Sequence, residues 1–423
     1  MAPGEIITGY ANAFGVAETD SRSAVTGLLH RWQGRGYIDG VELVPAAEID
    51  FATALARLLS SPALRGSFAD SPQATAERLA VRDEERDAFI SLDPDQLEHQ
   101  VQALTAKKKK YRHRKPEAGN ASTASYIRRL QSHVWATPSR SRHYRLSTTL
   151  LRLRFSTPEQ EQCVHPTLAH LEADGPAEAD VTLDIIEERN GHVIVRDGVP
   201  IGLSGALNQL AREVLLLVRD ITINRTSFFL QIHAGVVSHG EQSVLLPAAP
   251  GGGKSTLVAA LAHHGFRYLT DEIALLEDET LHVRPVPFAI TIKPGSVAPL
   301  SAYYPELSEA PLHRREDEQD VLYLVPPAQD RWPADGSPAP VRWIVFPRYA
   351  PGETTVLRPL GKAEALARLL GECLVVPKDL DRAGVANLVA WMRKVACFEL
   401  PFSSLPDAAE LLRNLCAEDR AAG

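Results

Sequence analysis

The nine residues Ala248-Ala249-Pro250-Gly251-Gly252-Gly253-Lys254-Ser255-Thr256 put three glycines, a lysine and two hydroxyls into one short stretch. These residue types suit a triphosphate and its magnesium. Glycines let backbone N–H groups turn toward an anion, Lys254 can reach terminal phosphates, and the Ser255 hydroxyl can ligate the metal. Pro250, Gly251, Gly252, Gly253, Lys254, Ser255 and Thr256 are therefore the expected nucleotide-binding residues, with ATP and Mg²⁺ as the expected cofactors. The match to GxxxxGK[ST] is partial, because Ala248 stands at the first glycine position.

A second chemical feature lies close by. Phe266-Arg267-Tyr268-Leu269-Thr270 reads as a strand that delivers Asp271-Glu272 at its C-terminal end, where open α/β sheets place ligand groups. Two adjacent carboxylates beside a triphosphate can divide two tasks, holding Mg²⁺ and accepting the proton of an attacking hydroxyl. Asp271 is the catalytic candidate, and Asp271 and Glu272 join Ser255 as metal candidates. Composition alone leaves open which acid does which, and a solvated acidic turn is the plain alternative. His233, upstream of the glycine stretch, could orient the base or contact the γ-phosphate, or could be a hydrogen-bonded core histidine. Lys293, Arg284, Arg314, Arg315 and Arg348 could each neutralise charge on a phosphoryl group. Lys293 stands out because it follows the apolar run 288–292.

The elements needed to position these groups are legible. Residues 243–246 form a β-prone apolar run before the glycines. Leu257, Ala260, Leu261 and His264 recur at helical spacing after them, and Gly265 closes that helix. Strand, glycine loop and helix are the arrangement the motif demands. A charged stretch from His313 to Asp320 reads as a mobile loop able to close over substrate. The apolar strand Trp343-Ile344-Val345-Phe346 runs into Pro347-Arg348 rather than a carboxylate, which disfavours a transporter-type or helicase-type ATPase.

In order and type, Gln231-Ile232-His233-Ala234-Gly235-Val236-Val237, the glycine loop, and Gly265 through Glu272 resemble the catalytic core of HPr serine kinase/phosphorylase. The likeness is nearer to HPr-kinase-related proteins found with bacterial peptide-modification genes. It covers about residues 140–415, with further landmarks at Arg284-Pro285-Val286-Pro287, Ile292-Lys293-Pro294-Gly295-Ser296 and Ile344 through Tyr349. The resemblance implies a P-loop kinase core, with His233, Lys254 and Asp271 as catalytic residues. It also implies transfer of a phosphoryl group from ATP to a serine or threonine hydroxyl of a peptide or small protein, in the setting of ribosomally made peptide modification. No counterpart of the family's phosphorolysis segment is found, so the reverse activity is not expected. The resemblance admits a homo-oligomer without specifying its symmetry.

The rest of the chain frames this core. At 423 residues, with 44% hydrophobic and 23% charged residues, the composition is globular and multi-domain. A net charge of −8 argues against general nucleic-acid binding. No apolar run is long enough to span a membrane, and the N-terminus lacks the basic-then-apolar order of a signal peptide, so a cytoplasmic location is expected. Cys163, Cys373, Cys397 and Cys416 are widely separated, which suggests reduced structural thiols rather than a metal or redox motif. Residues 1–48 read as short amphipathic helices, with a stretch at 5–45 that resembles part of the PqqD-like peptide-recognition domains. Residues 49–106 continue as a helical module, and 107–135 form a basic and polar linker that is either solvated or bound to an anionic partner. Residues 136–205 alternate as a β-rich lead-in, and 206–423 form the P-loop domain, with helices expected at 206–218, 362–370, 385–393 and 407–416. The expected fold class is thus α/β: a P-loop kinase core, a β-rich lead-in subdomain and an α-helical N-terminal region. Residues 1–106 would hold the peptide partner. Two other functions fit the residues: an adaptor that binds nucleotide and recruits a peptide without phosphoryl transfer, and a kinase of free serine or another small metabolite.

Overall fold

The computed structural model describes residues 49, 51–94, 135, 137–173, 178–189, 191–248, 251–315, 319–327, 337–375 and 382–422. The helices expected within residues 1–48, the basic stretch 107–115 and Pro250 lie outside the described residues. The chain divides into two compact units, Met1–Leu92 and Asp93–Gly423. The architecture is mixed α/β.

The described part of the first unit is helical: α1 (Phe51–Ser60), α2 (Pro62–Asp70), α3 (Pro72–Arg78) and α4 (Asp83–Ile90). A Ser-Pro pair opens two of them. Ser61 accepts the Leu64 N–H at 3.3 Å and Ser71 the Ala74 N–H at 3.2 Å, while Pro62 and Pro72 occupy first-turn positions that need no donor. The ring of Phe89 meets those of Phe68 at 5.1 Å and Phe51 at 6.4 Å, both edge-on, closing a small aromatic core.

The second unit begins with a five-stranded sheet in the order β1 (Arg140–Leu146), β2 (Thr149–Phe155), β3 (Val181–Glu188), β4 (Gly191–Arg196) and β5 (Val199–Ser204). Asp197 and Gly198, both at positive φ, make the tight turn between β4 and β5. β2 and β3 run parallel and are joined through α5 (Pro158–Leu168), which starts on a capping box from Thr157 and Gln160. The next helix, α6 (Leu207–Asn224), runs well past the expected end at 218. Arg219 and Asp220 do not stop it: they pair with one another at 3.2 Å on its polar side, while Ile221 and Ile223 stay buried. One apolar cluster unites Leu153, Ile185 and Ile194 of the sheet with Leu210, Val214 and Val218 of α6 and with Ile273, Leu275 and Val286 further on. The lead-in strands thus share one core with the chain beyond position 205.

Two smaller sheets flank the site. One has the order β11 (Val283–Arg284), β10 (Ala274–Leu276), β6 (Leu230–Ile232), β17 (Cys373–Val375), and the other the order β12 (Ile290–Ile292), β14 (Asp320–Leu324), β13 (His313–Arg314). The stretch expected as a mobile loop from His313 to Asp320 is therefore bounded by paired strands, with His313 opposite Val321 and Arg314 opposite Asp320. Burial of His313 and Val321, and the 5.0 Å approach of the His313 and Tyr323 rings, anchor those ends despite the surrounding charge.

The six-stranded sheet carries the glycine loop, in the order β16 (Arg358–Pro359), β18 (Ala396–Phe402), β15 (Val341–Tyr349), β8 (Gln242–Pro247), β7 (Ala234–His239), β9 (Arg267–Thr270). β15 is parallel to both β8 and β18, whereas β7 is antiparallel to β8 and β9. β8 and β9 consequently point the same way, with β7 starting between their C-terminal ends. Helix α7 (Lys254–His263) makes the crossover and is buried along nearly its whole length. Short α8 (Val297–Leu300) and the helices α9 (Lys362–Gly371), α10 (Arg382–Lys394) and α11 (Leu405–Ala422) complete the unit. The last of these covers the sheet through Ala408, Ala409, Leu412 and Cys416.

Candidate functional site

The antiparallel insertion of β7 brings three chain segments to one edge of the central sheet. The glycine loop leaves β8 there, Asp271 and Glu272 leave β9 there, and His233 enters β7 there, beside Ala234 opposite Pro247. Gly251 and Gly253 have φ of 92° and 82°, values that only glycine adopts cheaply. A Cβ on Gly253 would also stand 2.9 Å from Phe402 Cζ and 3.0 Å from Tyr349 Cβ, whereas one on Gly251 would meet nothing within 4 Å. The Tyr349 N–H donates to the Gly252 carbonyl at 3.1 Å, tying the loop to the end of β15. Since Gly253 has no side chain to cap α7, the first N–H groups of that helix remain available to an anion. Ala248 is buried at the start of the loop, before the turn that needs glycine.

Lys254, the first residue of α7, turns back under the loop. Its Nζ donates to the main-chain oxygen of Asp271 and lies 3.3 Å from Asp271 Oδ1, with both side chains less than a tenth exposed. Glu272 differs: its carboxylate is 60% exposed and lies 3.5 Å from the Arg219 guanidinium of α6. One acid of the doublet therefore faces the lysine and the other faces solvent and α6. Behind them, buried Tyr268 donates its hydroxyl to the Phe288 carbonyl at 2.8 Å; burial, reinforced by the nearby carboxylates, pushes its phenol well above the usual range.

His233 sits at the junction of β6 and β7. Its N–H donates to the Glu372 carbonyl at 2.8 Å, and its Nδ1 lies 3.5 Å from Glu372 Oε2. A carboxylate at that distance can orient the imidazole and select its tautomer. Glu372 follows α9 and reaches the histidine because β17 pairs with β6, a long-range contact that no local motif announces.

A cleft of about 770 Å³ opens over this edge, within the usual range for small-molecule sites. His233, Gly251, Gly253, Lys254, Ser255, Thr256, Asp271 and Glu272 line it, as do Lys293 and Arg315. Thr256 donates its hydroxyl to Ser296 Oγ at 2.8 Å, clasping the loop helix to the turn after Lys293. Three expected cations are not among the lining residues. Arg284 is paired with Glu277 across the β10–β11 strands, and Arg314 with Asp320 at 2.7 Å. Each meets a carboxylate on its own hairpin, which holds it away from the cleft. Arg348, also expected as a cation for the phosphoryl group, is held by Glu353 at 2.9 Å. In their place α6 supplies Arg212 and Arg219, which motif reading did not single out. Their signal in the sequence is faint: two arginines seven apart on an amphipathic helix.

Five cations thus face two carboxylates in the cleft, a balance suited to an anionic ligand. Among the described residues, no group of three or more His, Cys, Asp or Glu side chains could cage a metal. The available donors are hard oxygens, the Ser255 hydroxyl and the Asp271 carboxylate, with Glu272 close by. That set fits Mg²⁺, which keeps waters and shares its coordination with phosphates. Burial pushes the Cys163 and Cys397 thiols up, consistent with unreactive packing residues. No helix among the described residues is long and apolar enough to cross a membrane. No protein-family model matches the chain, and no curated protein is similar enough to count as a relative.

Proposed function

We propose that the chain is an ATP- and Mg²⁺-dependent kinase of the HPr-kinase type that phosphorylates a serine or threonine hydroxyl of a peptide or small protein. One observation carries this reading: Lys254 at the start of α7 and Asp271 after β9 meet at the mouth of an uncapped helix inside a cationic cleft. Phosphoryl transfer asks mainly for positioning and charge neutralisation, and these residues supply both.

The N–H groups from Gly251 to Ser255 cradle the phosphates of ATP, and Lys254 binds the terminal ones. Ser255 and Asp271, with Glu272 nearby, are the residues that would hold Mg²⁺. Bound there, the metal neutralises charge on the phosphate oxygens. Transfer of Lys254 from Asp271 to the phosphates frees Asp271 Oδ1, the oxygen turned to the lysine, to accept a proton, while its other oxygen would hold the metal. The acceptor hydroxyl then forms a new O–P bond to the γ-phosphorus while the β,γ-bridging P–O bond breaks. ADP departs, and the hydroxyl proton goes to Asp271. His233, oriented by Glu372, and Arg219, beside Glu272, position the acceptor side. The helical first unit is assigned to holding the peptide partner.

The test is to incubate the full chain with ATP, Mg²⁺ and the short peptides encoded beside it, and to follow acceptor mass. A gain of one phosphoryl group, lost in Asp271→Asn, is expected. Tight ATP binding with no acceptor labelling would replace the kinase reading with that of a nucleotide-dependent adaptor.

A further inference from the structure

The wall of the cleft formed by α6 has a composition of its own. Arg212, Leu215, Leu216 and Arg219 of α6 all line it, a spacing that brings them to one side of the helix. Arg219 meets Glu272, so the C-terminal part of this face stands beside the acid doublet. Arg212 lies two turns back, about 10 Å along the helix axis.

At that end α6 abuts the β13–β14 hairpin. The main chain of Asn208 hydrogen-bonds His313, and Arg315, just after β13, joins Arg212 in lining the cleft. Both guanidinium groups act on the partly buried phenol of Tyr323, another lining residue; burial, with Glu272 and Glu213, pushes that phenol up to about 12 while the two arginines oppose the rise. Arg212 also lies 3.2 Å from Glu213 on its own helix. Between Arg212 and Arg219, Leu215 and Leu216 give this wall an apolar strip, and Phe288 also lines the cleft. Lys254 and Ser255 already serve the phosphates at the opposite end. Two arginines from unrelated elements thus line the cleft near the same tyrosine.

We propose that Arg212 and Arg315 form an acceptor subsite that binds a carboxylate side chain about three residues from the hydroxyl to be phosphorylated. The spacing follows from the helix: an extended peptide covers about 10 Å in three residues. A guanidinium pair receives a carboxylate through two parallel N–H···O bonds, and the apolar strip accommodates the intervening side chains. The substrate class is therefore an acidic peptide. The identity of the hydroxyl end rests on the kinase reading above, whereas carboxylate capture by the arginines does not.

The probe is a set of fluorescein-labelled synthetic peptides with one serine in an alanine-glycine background. They carry aspartate three residues before the serine, aspartate three residues after it, or asparagine at either place. Binding to the full chain is read by anisotropy, without nucleotide and with ATP and Mg²⁺, and phosphorylation is read separately by mass. One of the aspartate peptides should bind at least tenfold more tightly than its asparagine counterpart. That preference should collapse in Arg212→Gln and, independently, in Arg315→Gln, which lies on a different element and so guards against a folding defect in α6. An Arg315→Glu variant should reverse the preference toward a lysine-bearing peptide. Equal binding of aspartate and asparagine peptides by the unaltered chain overturns the subsite. So does a preference that survives in a folded Arg212→Gln/Arg315→Gln double variant. Aspartate preference without any phosphoryl transfer would instead support the subsite and refute the kinase reading alone.

Discussion

Alanine at Gly253 should damage the protein more than alanine at Gly251, although both glycines occupy the same loop with nearly the same backbone. Their φ values of 82° and 92° impose a similar conformational cost on an L-residue, about 1–2 kcal/mol. Part of it, about 0.4–1 kcal/mol, is offset by the lower entropy of the unfolded alanine chain. The difference lies in what the new methyl meets. At Gly251 it enters open space; at Gly253 it stands 2.9 Å from Phe402 Cζ and 3.0 Å from Tyr349 Cβ. Phe402 is 1% exposed and locked in the core of the central sheet, and the backbone of Tyr349 is bonded to Gly252, so neither retreats easily. Overpacking of this kind costs about 1–3 kcal/mol, and that is the expected gap between the two variants. Guanidinium denaturation followed by tryptophan emission measures it, since Trp343 is buried on β15 next to β8. Equal midpoints at equal slopes for Gly251→Ala and Gly253→Ala would refute the steric part of the reasoning. Under the proposed kinase function both variants should also lose ATP affinity, because alanine disfavours the left-handed turns of the loop.

Asp271→Asn should lower phosphoryl transfer by about 10²- to 10⁴-fold with little change in ATP affinity, checked by initial rates and equilibrium binding. Its stability cost should stay below the roughly 3–5 kcal/mol of a broken buried ion pair, because Lys254 keeps the main-chain oxygen of residue 271. Glu272→Gln, at an exposed position, should affect transfer far less in the same assay. For pH, burial lowers the affinity of His170 for protons, only partly opposed by the Pro287 carbonyl 2.6 Å from its Nε2. The unfolded chain then binds more protons than the folded one, so this contribution to stability is present above about pH 6.5 and is lost as pH falls toward the depressed folded value. The denaturation midpoint should drop between neutral and mildly acidic pH, and His170→Gln should flatten that dependence. His313 and His192 are shifted the same way by burial and account for part of the remaining slope.

The contiguous unit from β8 through the glycine loop, α7 and β9 to Asp271 could be read along the chain. It was legible because each signal is local: alternating apolar residues, glycines at positive φ, helical spacing, and acids at a strand end. Residue charge was equally legible, yet charge says nothing about partners. Arg284 and Arg314 were candidates beside the better-placed Lys293, and strand pairing set each near a carboxylate on its own hairpin. The end of α6 was placed too early because Arg219 and Asp220 interrupt an apolar run. Which side of a helix faces the core depends on the neighbouring sheet, and here both charges lie on the polar side.

The groups this protein offers for chemistry, a glycine-rich loop with a lysine, a hydroxyl and a nearby acid pair, were written in its sequence. Only the tertiary structure decided that antiparallel β7 brings His233 to the same edge as those groups, that Asp271 turns to Lys254 while Glu272 turns to Arg219, and that α6 closes the cleft with Arg212. The physical reason is range. Backbone conformation follows from each residue and its near neighbours, whereas the partner of a charged side chain is set by strand pairing and helix packing between segments far apart in the chain.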